Sequence, residues 1–397
     1  MSKRPGVKTR PKAKKIGSAI GEALAPYESP SSSVTPALRY KKFEISHFRG
    51  FKSFEIGPFN RVNLITGING VGKTAVLEAL FLHIGELNPQ LALRVNLWRG
   101  LGVVGERMGM LWKTLFWQFR TEEPAMLVGT DYQGKRRVLN VSVIPSVPTV
   151  HKDAAGEESL DLSKGLNNDL LLEYEDEQGH VTSARGIPEM VTRGDQVLLQ
   201  LRTDPPVIRK SSPGVFLNSW SQGGSDEQVQ RFSELRIKNQ DHLVLEVLKH
   251  LEPRLEGLEI LSPHGSGMIY GHLKGYDEPV PLTLLGDGVR RVASLVLAMG
   301  YARDGTLLVD EIENGIHHSV LGRLWEAIGY AAELFNTQVV ATTHSLECIV
   351  AAYQAFRQRA TFDLTLHRLD RTDSITRATN YDQESIEGAL SVPMEVR

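Results

Sequence analysis

One segment limits what this chain can fold into: Gly67-Ile68-Asn69-Gly70-Val71-Gly72-Lys73-Thr74. It follows an apolar run, Val62 to Thr66, that reads as a buried strand. It precedes a helical pattern from Lys73 to about Leu82, in which Ala75, Val76, Ala79, Leu80 and His83 lie on related faces. A glycine-rich turn between strand and helix, closed by Lys and Thr, is an anion cradle. The glycines let the backbone curl until its N–H groups converge on phosphate oxygens, and the helix adds its positive N-terminal end. Lys73 is placed to reach the β- and γ-phosphates and Thr74 to offer a hydroxyl to Mg2+. Asn69, Val71 and Ala75 join Gly67, Gly70 and Gly72 as candidate nucleotide contacts.

Three further patterns fit around a phosphate site. Thr306-Leu307-Leu308-Val309 is a buried-strand run ending in Asp310-Glu311. Asp310 at the strand tip is a candidate Mg2+ ligand, and Glu311 a candidate general base for the attacking water. Val339-Val340-Ala341-Thr342-Thr343-His344-Ser345 sets a histidine just past another apolar strand. His344 is a candidate γ-phosphate sensor, although a lone histidine there is commonly structural. Leu285-Gly286-Asp287-Gly288-Val289-Arg290-Arg291 opens an apolar helix from Val292 to Met299. Gly286 and Gly288 can offer N–H groups to an anion, and Asp287 reads equally well as a plain N-cap.

The rest of the chain supports an α/β fold. Phe43, Ile45 and Phe48 come at strand spacing, and a short strand follows around Phe54 to Ile56. Met126 to Asp131 and Arg137 to Ile144 read as a hairpin around Gly134, and Val147 to Gly165 as a polar surface loop. Helices are expected over Asp226–Lys238, His242–His250 and Ser319–Leu334, with another ending in Ala352–Arg359. Phe362 to Leu369 and Ile375 to Tyr381 read as a closing hairpin, with Asp370 and Asp373 as turn residues. Strands and helices that alternate in this way imply a sheet with helices on its faces.

Composition narrows the class. The chain has 397 residues, 41% hydrophobic and 23% charged, which suits a globular protein with a real core. The formal net charge of −2 gives no overall bias toward nucleic acid or an acidic membrane. With Cys348 as its one cysteine, no internal disulfide is possible, which fits a reducing, cytoplasmic setting. No apolar run is long enough to span a membrane, and no secretion signal opens the chain. Residues 1–38 are basic and Pro/Ser-rich, expected to be a disordered tail, with a nucleic-acid-binding arm as the functional alternative. Three parts follow: an N-terminal β and phosphate-loop half over 39–100, a hairpin and helical insertion over 101–280, and a second half with the carboxylates and His344 over 281–397.

Taken in order, the motifs resemble the ABC-type ATPase heads of the SMC/RecF/OLD group, above all its compact "AAA family ATP-binding protein" branch. Phe48-Arg49-Gly50-Phe51 is similar to the FRGF opening of that group, and Glu313-Asn314-Gly315-Ile316-His317 to the E-N-G-h-H segment in its D-loop position. The resemblance covers about Arg39 to Gly85 and Thr283 to Ile349, and the middle poorly. It implies a P-loop NTPase of ABC-head type: a mixed sheet with flanking helices, an N-terminal β subdomain and an α+β insertion. It implies ATP and Mg2+ as ligands and a homodimer or higher oligomer that sandwiches ATP between one subunit's Walker A loop and the other's signature loop. In that arrangement Gly286 and Gly288 contact the γ-phosphate across the dimer, Asn314 lies at the interface, and Arg49 corresponds to an arginine that approaches the nucleotide. Two departures stand out. The signature has no serine before its glycine pair, and no Q-loop glutamine can be placed, Gln118 being a candidate.

The function implied is an ATP-hydrolysing switch in anti-phage defence or DNA repair. A separate effector such as a Toprim-like nuclease is expected, since little follows His344; DNA is a candidate partner. A transporter nucleotide-binding subunit, an SMC-like DNA-binding ATPase and a small-molecule kinase are the alternatives. The first sits poorly with the signature and the long middle, the second with the lack of sustained heptads, and the third leaves His344 and the Gly286–Gly288 helix unexplained.

Overall fold

The computed structural model describes residues 39–101, 110–146, 150–152, 158–160, 168–193, 196–206, 213–219, 225–263, 265–373 and 375–391. The tail expected over 1–38 lies outside them. Among the described residues no helix is long and apolar enough to cross a membrane.

The first half builds strands around one helical hairpin. Strands β1 (Lys42–Phe48), β2 (Phe51–Ile56) and β3 (Val62–Thr66) lead into helices α1 (Lys73–Ile84) and α2 (Pro89–Trp98). Pro89 at the first helical position, behind Asn88, whose side chain accepts from the Gln90 N–H, gives α2 a well-capped start. Strands β4 (Ala125–Thr130) and β5 (Arg136–Pro145) form the expected hairpin around Gly134. The stretch read as a surface loop contains a short antiparallel pair, β6 (Val150–Lys152) and β7 (Glu158–Leu160), its remainder lying outside the described residues. Strands β8 (Asn168–Glu175), β9 (Val181–Arg193), β10 (Gln196–Asp204) and β11 (Gly214–Leu217) follow.

In the second half, α3 (Ser225–Ile237) and α4 (Asp241–Lys249) precede a small sheet of β12 (Leu255–Leu261), β13 (Met268–Leu273) and β14 (Val280–Pro281). The helices and strands then alternate: α5 (Asp287–Tyr301), β15 (Thr306–Val309), α6 (Leu321–Leu334), β16 (Gln338–Thr342) and α7 (Leu346–Arg357). Helix α6 begins slightly later than its sequence pattern suggests, because His318–Val320 forms a 3-10 turn first. Helix α7 begins at Leu346, where Ser345 caps it by accepting from the Cys348 N–H. The chain closes with β17 (Leu364–Thr372), β18 (Ile375–Tyr381) and α8 (Gln383–Ser391).

Two large sheets result. The first is antiparallel, in the order β10-β9-β8-β5-β4-β1-β2; the second is mixed, in the order β11-β15-β16-β3-β17-β18. In the mixed sheet β11, β15, β16, β3 and β17 run parallel and β18 is antiparallel. The 101–280 stretch does not stand apart, because β4 pairs with β1 and β11 pairs with β15.

Helices cover both faces of the mixed sheet, so its strands read as continuous apolar runs. Alternate residues divide between two cores. Leu64, Leu307, Val309, Val339 and Ala341 pack with α5, α6 and α7 on one face. Ile65, Leu308 and Val340 pack with α1 and the antiparallel sheet on the other. His83 fixes α1 to that sheet. The Arg137 carbonyl can only accept, so His83 Nε2 donates to it at 3.0 Å and Nδ1 accepts from the Tyr40 hydroxyl at 2.8 Å. Burial, then the charge of Arg39, holds this imidazole neutral, its pKa well below the usual range.

Leu308 is fully buried in the middle of this layered core, whereas Leu284 is 73% exposed. Leu308→Ala is expected to cost about 2–5 kcal/mol. It should lower the urea midpoint without changing the slope. Leu284→Ala should leave the midpoint where it is.

Candidate functional site

In parallel α/β sheets the carboxyl ends of the strands form the ligand crevice. Here three neighbouring strands end together: Val309 pairs with Ala341, and Thr342 with Ile65. Their exits carry Asp310, the Thr342–His344 segment and the Gly67–Thr74 loop.

The loop is shaped by contacts a side chain would break. Gly67 has φ +137°, and a Cβ there would lie 2.4 Å from the Leu369 carbonyl oxygen. Gly72 has φ +117°, and a Cβ there would lie 2.5 Å from Cζ of Phe51. Only glycine meets both demands. Lys73 opens α1, and its ammonium donates to the carbonyls of Gly67 at 2.6 Å and Ile68 at 3.2 Å. Burial lowers the Lys73 pKa, and the nearby charges of Asp310, Glu311 and Glu313 oppose that shift.

Thr74 Oγ1 stands 3.1 Å from both carboxylate oxygens of Asp310. Asp310 is buried at the end of β15, and its Oδ1 also accepts from Thr342 Oγ1 at 2.6 Å. That threonine in turn accepts from the backbone N–H of Glu311 at 2.8 Å. Glu311 has φ +50°, a conformation few non-glycine residues adopt, and it is half-buried. The hydroxyl and carboxylate of Thr74 and Asp310 form an oxygen-only donor set. Magnesium suits such a set, since it takes one or two protein oxygens and completes its shell with phosphate and water. Among the described residues there is no group of three or more His, Cys, Asp or Glu that could form a dedicated cage.

His344 is 56% exposed at its side chain, with Nδ1 3.3 Å from Glu313 Oε1. The same oxygen accepts from Thr343 Oγ1 at 2.7 Å and from the His344 N–H at 3.0 Å. Gly286 is the N-cap of α5 and is exposed. Asp287 is therefore the first helical residue and not the cap, and it pairs with Arg290 at 3.3 Å. Gly288 lies in the same turn, and Asn314 is exposed in the loop after β15. Gln118 is exposed with φ +52° in a 3-10 turn.

Arg49 is placed differently from expectation. Its guanidinium donates to Glu78 at 3.0 Å, the Thr114 carbonyl at 2.9 Å and Asn96 at 3.0 Å. These bonds commit the side chain to a buried cluster beneath α1 and leave it no free face toward a nucleotide. Glu78 is the centre of that cluster and also accepts from Arg99 at 2.6 Å. Glu78 carries no motif of its own, and Glu313, Thr342 and Thr343 lie in motif segments without being singled out there. The nearest signal was position, since Thr342 and Thr343 directly precede His344 and Glu313 heads the Glu-Asn-Gly run.

Residues 42–92 match a family model described as "AAA domain", and residues 201–349 match one described as "AAA domain, putative AbiEii toxin, Type IV TA system". The two matches include the phosphate loop and the Asp310–His344 stretch. Over these two stretches the chain is similar to AAA-family P-loop ATPases. Over 335 residues this ATPase is 25% identical to an ATP/GTP phosphatase of Helicobacter pylori (strain ATCC 700392 / 26695), covering 79% of its own length and 88% of that protein. Over 38 residues it is 50% identical to the DNA replication and repair protein RecF of Idiomarina loihiensis, 10% of this chain and 11% of that one. Among solved structures it aligns with an SMC head bound to the C-winged helix domain of ScpA at a TM-score of 0.46 and 12% identity, covering 89% of this ATPase and all (100%) of that chain.

Removing the Glu78 carboxylate would leave the Arg49 charge without its ionic partner, with side chains 9% and 3% exposed. Glu78→Ala in this ATPase is expected to cost about 3–5 kcal/mol, measured by chemical denaturation. An unchanged stability would show that Arg49 does not depend on the pair.

Proposed function

We propose that this chain is an ATP-driven switch in which two copies close around two ATP molecules and hydrolysis reopens them. Each nucleotide would lie between the Gly67–Thr74 loop of one copy and the Gly286–Gly288 turn of the other. The observation that carries the reading is the convergence of Lys73, Thr74 and Asp310 at one end of the mixed sheet, with Glu311 next in sequence.

The chain's own residues divide the work. Backbone N–H groups of the loop and the N-terminus of α1 grip the β-phosphate. The Lys73 ammonium leaves the loop carbonyls for the β- and γ-phosphate oxygens and neutralises charge that builds in the transition state. Thr74 and Asp310 would hold Mg2+, which, when bound, adds positive charge beside the same oxygens. Thr342 keeps Asp310 and the Glu311 backbone in register, leaving the Glu311 side chain to orient and deprotonate the attacking water. His344 and Asn314, both exposed, are available to the γ-phosphate and to the second copy. The Gly286–Gly288 turn offers its backbone donors across the interface, and the Asp287 carboxylate beside it weakens that contact.

The setting we infer is DNA repair or defence against phage, with a separate effector subunit such as a nuclease, and DNA as a candidate ligand. The RecF-like segment and the AbiEii-type description of the 201–349 match support it. An SMC-like role in chromosome structure fits less well. The helices between β11 and β15 that would begin a long coiled coil, α3 and α4, have only 13 and 9 residues and lead into a small sheet.

Glu311→Gln with ATP and Mg2+ should run as a trapped dimer in size-exclusion chromatography with light scattering. Its turnover should fall by about 10²–10⁴-fold. A persistent monomer would sink the sandwich. Lys73→Ala should weaken ATP binding about 100-fold, and retained affinity in titration calorimetry would contradict the phosphate-loop assignment.

A further inference from the structure

Strand β17 outruns its neighbour. Thr66, the last residue of β3, pairs with Arg368, and β17 continues through Leu369, Asp370, Arg371 and Thr372. At about 3.3 Å per residue the overhang is roughly 13 Å long. It lies alongside the phosphate loop, since the Leu369 carbonyl stands against the backbone of Gly67. Alternate residues of a strand share a face. Leu369 packs into the core formed by α1 and the antiparallel sheet, so Arg371, two residues on and exposed, lies on the same side beyond the edge of that core.

The Arg371 guanidinium enters the gap between the phosphate loop and the β1–β2 turn. Its Nη2 reaches the Val71 carbonyl at 3.5 Å, and a Cβ on Gly50 would lie 3.2 Å from the same nitrogen. Its Nε donates to Thr376 Oγ1 at 3.2 Å. A guanidinium has five N–H donors, and these contacts use two. Among the described residues no carboxylate pairs with Arg371, whereas nearby Arg368 is held by Asp370 at 3.1 Å. Arg49, the arginine expected near the nucleotide, is committed to Glu78.

The sheet order gives the loop two unlike sides. Strands β16 and β15 lie on one side of β3 and bring Thr342, Asp310 and Glu311; β17 lies on the other and brings Arg371. The γ end of a triphosphate belongs where Lys73, Thr74 and Asp310 gather. We propose that Arg371 binds the α-phosphate: the nucleotide crosses the loop away from Asp310, and the guanidinium gives up its long contact with Val71 for the α-phosphate oxygens. The inference rests on the phosphate-loop reading and does not depend on the dimer. The exchange is favourable, because a 3.5 Å contact is at the limit of hydrogen bonding, and a bond between two charged groups is about twice as strong as a neutral one. The α-phosphate is common to ATP and ADP and is untouched by hydrolysis. A contact there holds ground state and transition state alike, so it raises affinity and leaves the chemical step alone.

The experiment uses the full chain with Mg2+. Titration calorimetry gives the affinity for ADP and for a non-hydrolysable ATP analogue, and steady-state turnover gives kcat and KM. Arg371→Met should weaken both nucleotides equally, each about tenfold, with KM raised and kcat within about twofold of the unsubstituted chain. Arg371→Lys, which keeps the charge without the planar fork, should recover part of the affinity. The urea midpoint should not move, because the side chain is exposed. Sulfur is a poor acceptor, so replacing a non-bridging α-oxygen of ADP by sulfur should weaken binding to the unsubstituted chain for at least one diastereomer. The same replacement should add little to the loss in Arg371→Met, because both changes remove one bond. Unchanged affinity in Arg371→Met, a loss confined to the triphosphate, or additive losses in the sulfur series would each overturn the assignment. A lowered urea midpoint would make Arg371 a brace of the β17–β18 hairpin and overturn it too. Lys73→Ala, measured in parallel, keeps the two readings apart. Affinity lost there and kept in Arg371→Met removes only the Arg371 contact, whereas affinity kept in Lys73→Ala removes the phosphate loop itself.

Discussion

Asp310 sits at the closed end of a buried strand, and the rest of the site is arranged around it. An ionised carboxylate in that place is costly unless hydrogen bonds meet it. Thr74 supplies one hydroxyl from the helix after the phosphate loop, and Thr342 supplies another from the neighbouring strand. Each bond ties a different element to the tip of β15. The Thr74 bond sets the first turn of α1 against the carboxylate, so the loop and Asp310 are fixed together. The Thr342 bond sets the end of β16, and through its acceptance from the Glu311 N–H it also sets the backbone of the candidate base.

The phosphate loop is held from outside as well. Phe51 lies against the backbone of Gly72, and the Leu369 carbonyl against that of Gly67. Both strands that supply these contacts belong to hairpins beside the loop, β1–β2 on one side and β17–β18 on the other. The Arg49–Glu78 pair ties the turn between β1 and β2 to the middle of α1. A loop that must present several N–H groups at fixed angles gains from such bracing, because the donors are then oriented before the anion arrives. The sequence FRGF thus serves position: Phe51 shapes the loop, and Arg49 anchors the helix behind it.

Much of this was legible in the chain. The strand, glycine loop and helix around Gly67–Thr74 are one local pattern, and so are the apolar runs ending at Asp310 and His344. Their hydrophobic continuity already implied a strand buried on both faces. What could not be read was set by partners far apart in sequence. Arg49 and Glu78 are 29 positions apart, and Thr74 and Asp310 are 236 apart. A motif gives the residue types at the second pair; at the first, the FRGF opening marks Arg49 but nothing marks Glu78, so the sequence points Arg49 toward a nucleotide and not toward a carboxylate. The order of the antiparallel sheet was hidden for the same reason. Alternating apolar residues in β4 and β5 show that strands exist there, but the pairing of β4 with β1 depends on side chains the local pattern does not contain.

The electrostatics of the site constrain how it can take up its ligand. Asp310, Glu311 and Glu313 all press negative charge on Lys73. A triphosphate entering such a place meets three carboxylates and one ammonium, a balance that would repel it. The positive end of α1 and the loop N–H groups offset part of that repulsion, but they act mainly at the β-phosphate. A cation held by the oxygens of Thr74 and Asp310 would supply the further positive charge that a γ-phosphate requires. Nucleotide and magnesium are therefore expected to bind as one unit, and the negative charge of Asp310 and its neighbours makes the bare triphosphate a poor ligand. The same excess of carboxylate gives the site a reason to release products: once the γ-phosphate has separated, the repulsion from Asp310, Glu311 and Glu313, which a cation held by Thr74 and Asp310 would mask, would drive them apart.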